Sequence, residues 1–147
     1  MTKVILTLLL AAASNNVMAE WVKVTSSYSQ ESPGSQIAYV DPATIHRDKD
    51  LVNMWVLVDH QSGLSSEMES RLDNIFSSAK GEISKSWKVQ DEFDCKDAKL
   101  RMLSYIGYAE HMGNGAIIPN TITTGLWKPV IPASIGDALW QYACGRK

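Results

Sequence analysis

The chain has 147 residues, 45% of them hydrophobic and 20% charged, which is enough for one folded core and too little for two comfortable ones. Its formal charge of −2, from 14 Lys and Arg against 16 Asp and Glu, argues against nucleic acid or an anionic membrane as the main partner, because both demand a basic face. No internal repeat, low-complexity tract or run of like charge marks a disordered tail.

Residues 1–19 read as a cleavable signal peptide. Lys3 supplies the positive start, Val4 to Ala13 form an apolar run broken only by Thr7, and Val17-Met18-Ala19 follow the polar Ser14, Asn15 and Asn16 with small or apolar residues. The run is shorter than the roughly 20 apolar residues a membrane span requires. Cleavage is expected between Ala19 and Glu20, leaving residues 20–147 as one domain outside the cytoplasm and taking the formal charge from −2 to −3 with the loss of Lys3. No cysteine follows the apolar run, so lipid anchoring is not expected.

In the mature part, Trp21 to Val24 predicts a short strand. Thr25 to Ser35, rich in Ser, Gln, Pro and Gly, predicts a loop. Ile37 to Val40 reads as a second strand closed by Asp41-Pro42, where Asp caps a turn and Pro fixes its entry. From Leu51 to Asp59, Val52, Met54, Val56 and Val58 lie on one face and Trp55 and Leu57 on the other. Two apolar faces predict a central strand.

Leu64 to Ala79 predicts a helix: Ser66 and Glu69 have capping-box spacing, and Met68, Leu72, Ile75, Phe76 and Ala79 repeat at helical intervals. The period then changes to two, with Trp87, Val89, Phe93 and Cys95 alternating against Lys88, Gln90, Glu92, Asp94 and Lys96. Asp91 breaks the apolar face once. Lys96-Asp97-Ala98 turns the chain into Lys99 to Ala109, a hairpin partner on which Leu100, Met102, Ile106 and Tyr108 are expected to share a face. Met112 to Gly125 is Gly-, Asn- and Thr-rich, with Gly113-Asn114-Gly115 as a turn and at most a short strand at its isoleucines. It lacks the helix that a phosphate-cradling loop must open onto.

The ending carries the clearest pattern. Trp127 to Pro132 is a proline-stiffened extended approach, Ser134 caps a helix with Asp137 three residues on, and Gly145 stops it. Ile135, Ala138, Leu139, Tyr142 and Ala143 are its expected apolar face. Cys95 and Cys144 are the only cysteines, and in an oxidising compartment they are expected to pair, tying the last helical turn to the hairpin.

No enzyme is expected, and no cofactor or metal. His46, His60 and His111 are isolated, with no metal-ligand spacing and no strand-turn-helix nucleophile elbow. Asp59-His60 could join a serine only through folding, since triads are defined by geometry. Asp91, Glu92 and Asp94 alternate across a strand and do not form a calcium loop.

An ordered set of segments resembles the surface-adhesin protein E family. These are Trp21-Val22-Lys23-Val24, Tyr39-Val40-Asp41 with Thr44-Ile45, Met54 to Asp59, Glu92-Phe93-Asp94-Cys95, and Trp127 to Ser134 leading to Cys144. The resemblance covers essentially the whole mature domain. It implies an α+β fold, an antiparallel β-sheet with a C-terminal helix tied down by one disulfide, to which the residue pattern adds the middle helix. It also implies a non-enzymatic adhesion module, dimeric in the namesake, that binds host matrix or serum proteins. The family's ligand-contact region precedes the first cysteine and is notably basic; here that stretch has only the scattered Lys80, Lys85 and Lys88, with Glu82 among them, and these lysines are the contact candidates. A periplasmic, envelope-associated protein acting by self-association or through a protein partner is the alternative, so the expected location is the periplasm or the cell surface.

Overall fold

A computed structural model describes residues 20–29, 34–61, 84–118 and 125–145. The expected signal peptide, the helix expected at Leu64 to Ala79, and Lys80 lie outside these residues.

The described chain forms strands β1 (Val22–Ser29), β2 (Gly34–Val40), β3 (His46–Asp48), β4 (Leu51–Gln61), β5 (Ser86–Asp94), β6 (Lys99–Tyr108), β7 (Ile117–Ile118) and β8 (Lys128–Pro129), then helix α1 (Ile135–Cys144). All pair antiparallel in one sheet of order β1-β2-β4-β5-β6-β7, with β3 added to β4 and β8 to β6. The expected antiparallel sheet with a C-terminal helix is therefore present.

Between β2 and β3, Asp41 does what its position predicts. Its carboxylate accepts the Ala43 N–H at 3.0 Å and caps a 3₁₀ turn at Pro42–Thr44. Thr44 Oγ1 donates to the Asp41 carbonyl and accepts the Trp55 N–H, fastening this corner to β4.

Two expectations need correcting. The segment from Thr25 onward is not loop up to Ser35: β1 continues to Ser29 and β2 begins at Gly34, in register from Thr25↔Ala38 to Ser29↔Gly34. Backbone hydrogen bonds to the neighbouring strand hold a polar strand that shows no hydrophobic period, so periodicity alone misses it. The second correction concerns β6. Gln90 pairs with Ser104 while Asp91 pairs with Met102, so Leu103 is one residue too many. A one-residue bulge sends everything beyond it to the opposite face. Leu100 and Met102 thus share the face of Phe93 and Asp91, whereas Ile106 and Tyr108 sit beside Lys88 and Ser86 on the other.

The core lies between one sheet face and α1. Ala38, Val40, Val52, Met54, Val56, Val58 and Phe93 from the sheet meet Leu139, Trp140 and Ala143 from the helix. The helical stripe is rotated from the expected one. Trp140 points inward and donates its indole N–H to the Asp94 carbonyl at 2.9 Å, while Ile135 and Tyr142 flank the core. Ser134 Oγ accepts the Asp137 N–H at 3.1 Å, and Gly145 closes the helix in the left-handed region at φ 65°. Arg47 donates to the Ala143 carbonyl at 2.5 Å, placing a cation at the negative helix end. The Cys95–Cys144 disulfide joins that last turn to the β5–β6 hairpin across a Cα–Cα distance of 5.5 Å.

Candidate binding site

Helix α1 packs mainly on β1, β4 and β5, and its first turn reaches Leu100 at the β6 end of that sheet face. There a pocket of about 460 Å³ opens between the sheet, the first turn of the helix and residues 125–128. Val89, Phe93, Met102 and Leu139 supply apolar walls, and Gly136 lets the helix close in: a Cβ there would come within 2.9 Å of the Leu100 side chain. This volume falls within the roughly 300–1,000 Å³ usual for ligand sites.

One carboxyl faces this apolar space. Asp91 lines the pocket on the same strand face as Val89 and Phe93, and its carboxyl makes no hydrogen bond or ion pair with another described residue. No sealed side-chain oxygen or nitrogen among the described residues lacks a partner, so the Asp91 oxygens keep contact with the pocket's open volume. Burial pushes this carboxyl up from 3.8 to about 7, because the charged form loses water without gaining a counterion. The same residue looked in the sequence like a single interruption of an apolar face. That interruption is the one signal by which the site could have been found.

The chain leading into the helix contributes Gly125, Leu126 and Lys128 to the pocket's lining and carries exposed apolar residues. Leu126 is 84% exposed and Ile131 67% exposed, with Trp127 between them. The Arg101 guanidinium lies 4.6 Å from the Trp127 ring centre and is bridged to Glu92 at 2.5 Å, so its orientation is fixed on two sides. In the sequence Trp127 reads only as part of an extended approach to the helix. The Arg101 stacking that makes it a surface feature arises only when β6 and this segment meet.

On the opposite face, Lys88 and Lys85 are both engaged. Lys88 Nζ sits 5.1 Å from the Tyr108 ring centre and 5.7 Å from that of Trp21. Lys85 Nζ lies 3.8 Å from the Glu110 carboxylate. The bulge at Leu103 is what delivers Tyr108 to Lys88.

Asp59 and Ser86, nearly or wholly buried, fasten the turn at residues 110–114 to this face. Asp59 Oδ1 accepts the Met112 N–H at 2.8 Å and lies 3.2 Å from His111 Nδ1, while Oδ2 accepts from Gln61. Met112 is held at φ 57°, where few side-chain-bearing residues go, and Asp59 binds its amide there. Ser86 Oγ donates to the Glu110 carbonyl and accepts the Gly113 N–H. A serine nucleophile would need its proton directed at an imidazole. The Ser86 hydroxyl is directed at backbone, so this carboxylate–histidine–serine neighbourhood is a turn clasp. Asp59 takes His111 as its partner, not the adjacent His60.

Glu92 and Asp94 do not join Asp91. Glu92 binds Arg101, and Asp94 Oδ1 accepts the Lys96 and Asp97 amides in the hairpin turn. No cluster suited to a metal ion exists among the described residues, and none of their helices is long and apolar enough to cross a membrane.

Comparison with known proteins places these features in a family. The family model for surface-adhesin protein E matches residues 21–145. Crystal form II of Haemophilus influenzae protein E superposes with a TM-score of 0.54 at 17% identity, covering 74% of this chain and 80% of that one. Protein E from non-typeable Haemophilus influenzae gives 0.54 at 15% identity, covering 89% and 79%. The selenomethionine form of Haemophilus influenzae protein E gives 0.53 at 16%, covering 84% and 95%. At these identities the likeness is one of fold. No curated protein matches the chain.

Proposed function

The chain belongs to the surface-adhesin protein E family, and on that premise we propose that it is an exported, non-enzymatic adhesion module that works by holding a protein partner. The observation that carries this reading is the segment at residues 126–131. It carries exposed Leu126 and Ile131 on the same short stretch as an Arg-stacked Trp127, anchored to β6 at Lys128–Pro129. Aromatic and Arg anchors with an apolar surround are the composition that dominates protein–protein contact energy. A host matrix or serum protein is the partner class that the family suggests. Export proceeds by removal of residues 1–19 at Ala19–Glu20. The lysine region Lys80, Lys85 and Lys88 is the competing contact surface.

The experiment combines location with binding. Intact cells and periplasmic extracts are probed for the protein, and purified residues 20–147 are tested on immobilised matrix and serum proteins. Surface display and binding are expected, with Leu126→Asp and Ile131→Asp each weakening binding at least tenfold and Lys85→Glu and Lys88→Glu having smaller effects. The reverse ranking moves the contact to the lysine region, and a strictly periplasmic location rejects adhesion.

A second reading is a periplasmic protein that self-associates. It is favoured by β1, an eight-residue strand whose outer side pairs with no described strand. Such an edge is a template for a second copy. Sedimentation across a hundredfold concentration range tests it. A monomer throughout removes this reading and the homodimer with it.

A further inference from the structure

We infer that the pocket between β5, β6 and the first turn of α1 is a binding site for an apolar group carrying one ammonium, with Asp91 as its counterion. The inference is independent of the adhesion reading.

Charge complementarity selects the occupant. The walls are apolar, so the occupant's body is apolar; among the described lining residues the sole acid is Asp91, whose carboxyl pairs with no other described residue. The other charged groups on the lining are Arg101 of β6 and Lys128 of β8; the lining residues from β4, α1 and residues 125–126 are uncharged. Arg101 is engaged by Glu92 and Trp127, and Lys128 lies on the exposed rim and forms no ion pair with Asp91. Neither cation offsets the loss of water at this carboxyl, and burial raises it to about 7. An unpartnered carboxyl in an apolar cavity is unfavourable when charged, and an ammonium brought beside it restores what burial removed. Such an occupant therefore binds with ionisation of Asp91.

The test uses residues 20–147 with the disulfide intact and three probes sharing one apolar body: 4-phenylbutylamine, 4-phenylbutan-1-ol and 4-phenylbutyrate. Binding is followed by calorimetry and by NMR shifts of the Val89, Met102 and Leu139 methyl groups. For a group titrating at about 7, the ionised fraction rises from about 3% at pH 5.5 to about 97% at pH 8.5, so amine affinity should rise roughly 30-fold over that span. The alcohol should bind weakly and without pH dependence. Asp91→Asn, nearly isosteric, should hold amine affinity at the low-pH level throughout. The inference is overturned if no probe shifts the pocket methyls, if the amine binds no tighter than the alcohol at pH 8.5, if the butyrate binds best, or if the pH dependence survives in Asp91→Asn.

Discussion

Asp91 sets a pH dependence in the fold itself. Its carboxyl titrates at about 7 when folded and near 3.8 when exposed, so between those values the native state holds a proton that the unfolded chain has released. Stability contributed by this group is full below pH 4 and falls as pH rises towards 7. A rise of this size corresponds to a loss on the order of 4 kcal/mol. Urea unfolding at pH 5 and pH 8 should show the wild type losing stability across that interval by more than Asp91→Asn does. Asp91→Leu should be the more stable protein at pH 8. Equal slopes for wild type and Asp91→Asn would show that the carboxyl is solvated in the native state.

At the scale of elements, the bulge at Leu103 decides what each end of β6 does. Before it, Leu100 and Met102 face the core and the pocket; after it, Ile106 and Tyr108 face Lys88 and Ser86. Deleting Leu103 should close the bulge and leave Ser104 opposite Gln90, Ile106 opposite Lys88 and Tyr108 opposite Ser86, so each side chain keeps its face, whereas deleting Leu103 and Ser104 together would put Ile106 opposite Val89 and turn Ile106 and Tyr108 towards the helix side. The expected result is a loss of several kcal/mol or failure to fold for the double deletion, read by urea unfolding and near-UV circular dichroism, whereas deleting Leu103 alone keeps the faces and should leave the protein folded. A bulge is a backbone event with no hydrophobic signature, which is why the sequence predicts the hairpin but assigns half of one strand to the wrong face. For the same reason β1 was legible only to Val24: its outer half is specified by pairing with β2 and not by its own side chains. The signals that did read through are chemical ones, Asp41 before Pro42, Ser134 before a helix and Gly145 after it. Each satisfies local backbone groups whatever the rest of the chain does. The pocket was legible only as a misplaced Asp91, because the residues that wall it come from β4, β5, β6, the 125–128 segment and α1 together.

For the whole molecule, the disulfide closes the chain between the hairpin and the helix, at a sequence separation of 49. A loop of that length is expected to stabilise the fold by about 4 kcal/mol through restriction of the unfolded chain. The helix does not depend on that bond alone for its place. Leu139, Trp140 and Ala143 are buried against the sheet, the Trp140 indole is bound to Asp94 and the Ala143 carbonyl to Arg47. The Cys95→Ala/Cys144→Ala protein should therefore remain folded, with near-UV circular dichroism from Trp140 retained and ligand-pocket methyl shifts unchanged, while losing roughly 2–4 kcal/mol in urea unfolding. If the near-UV signal is lost with the bond, the helix is held by the covalent tie and not by its packing. In that case the pocket, whose wall includes Ile135, Gly136 and Leu139, would exist only in the oxidised protein, and binding of 4-phenylbutylamine would disappear on reduction.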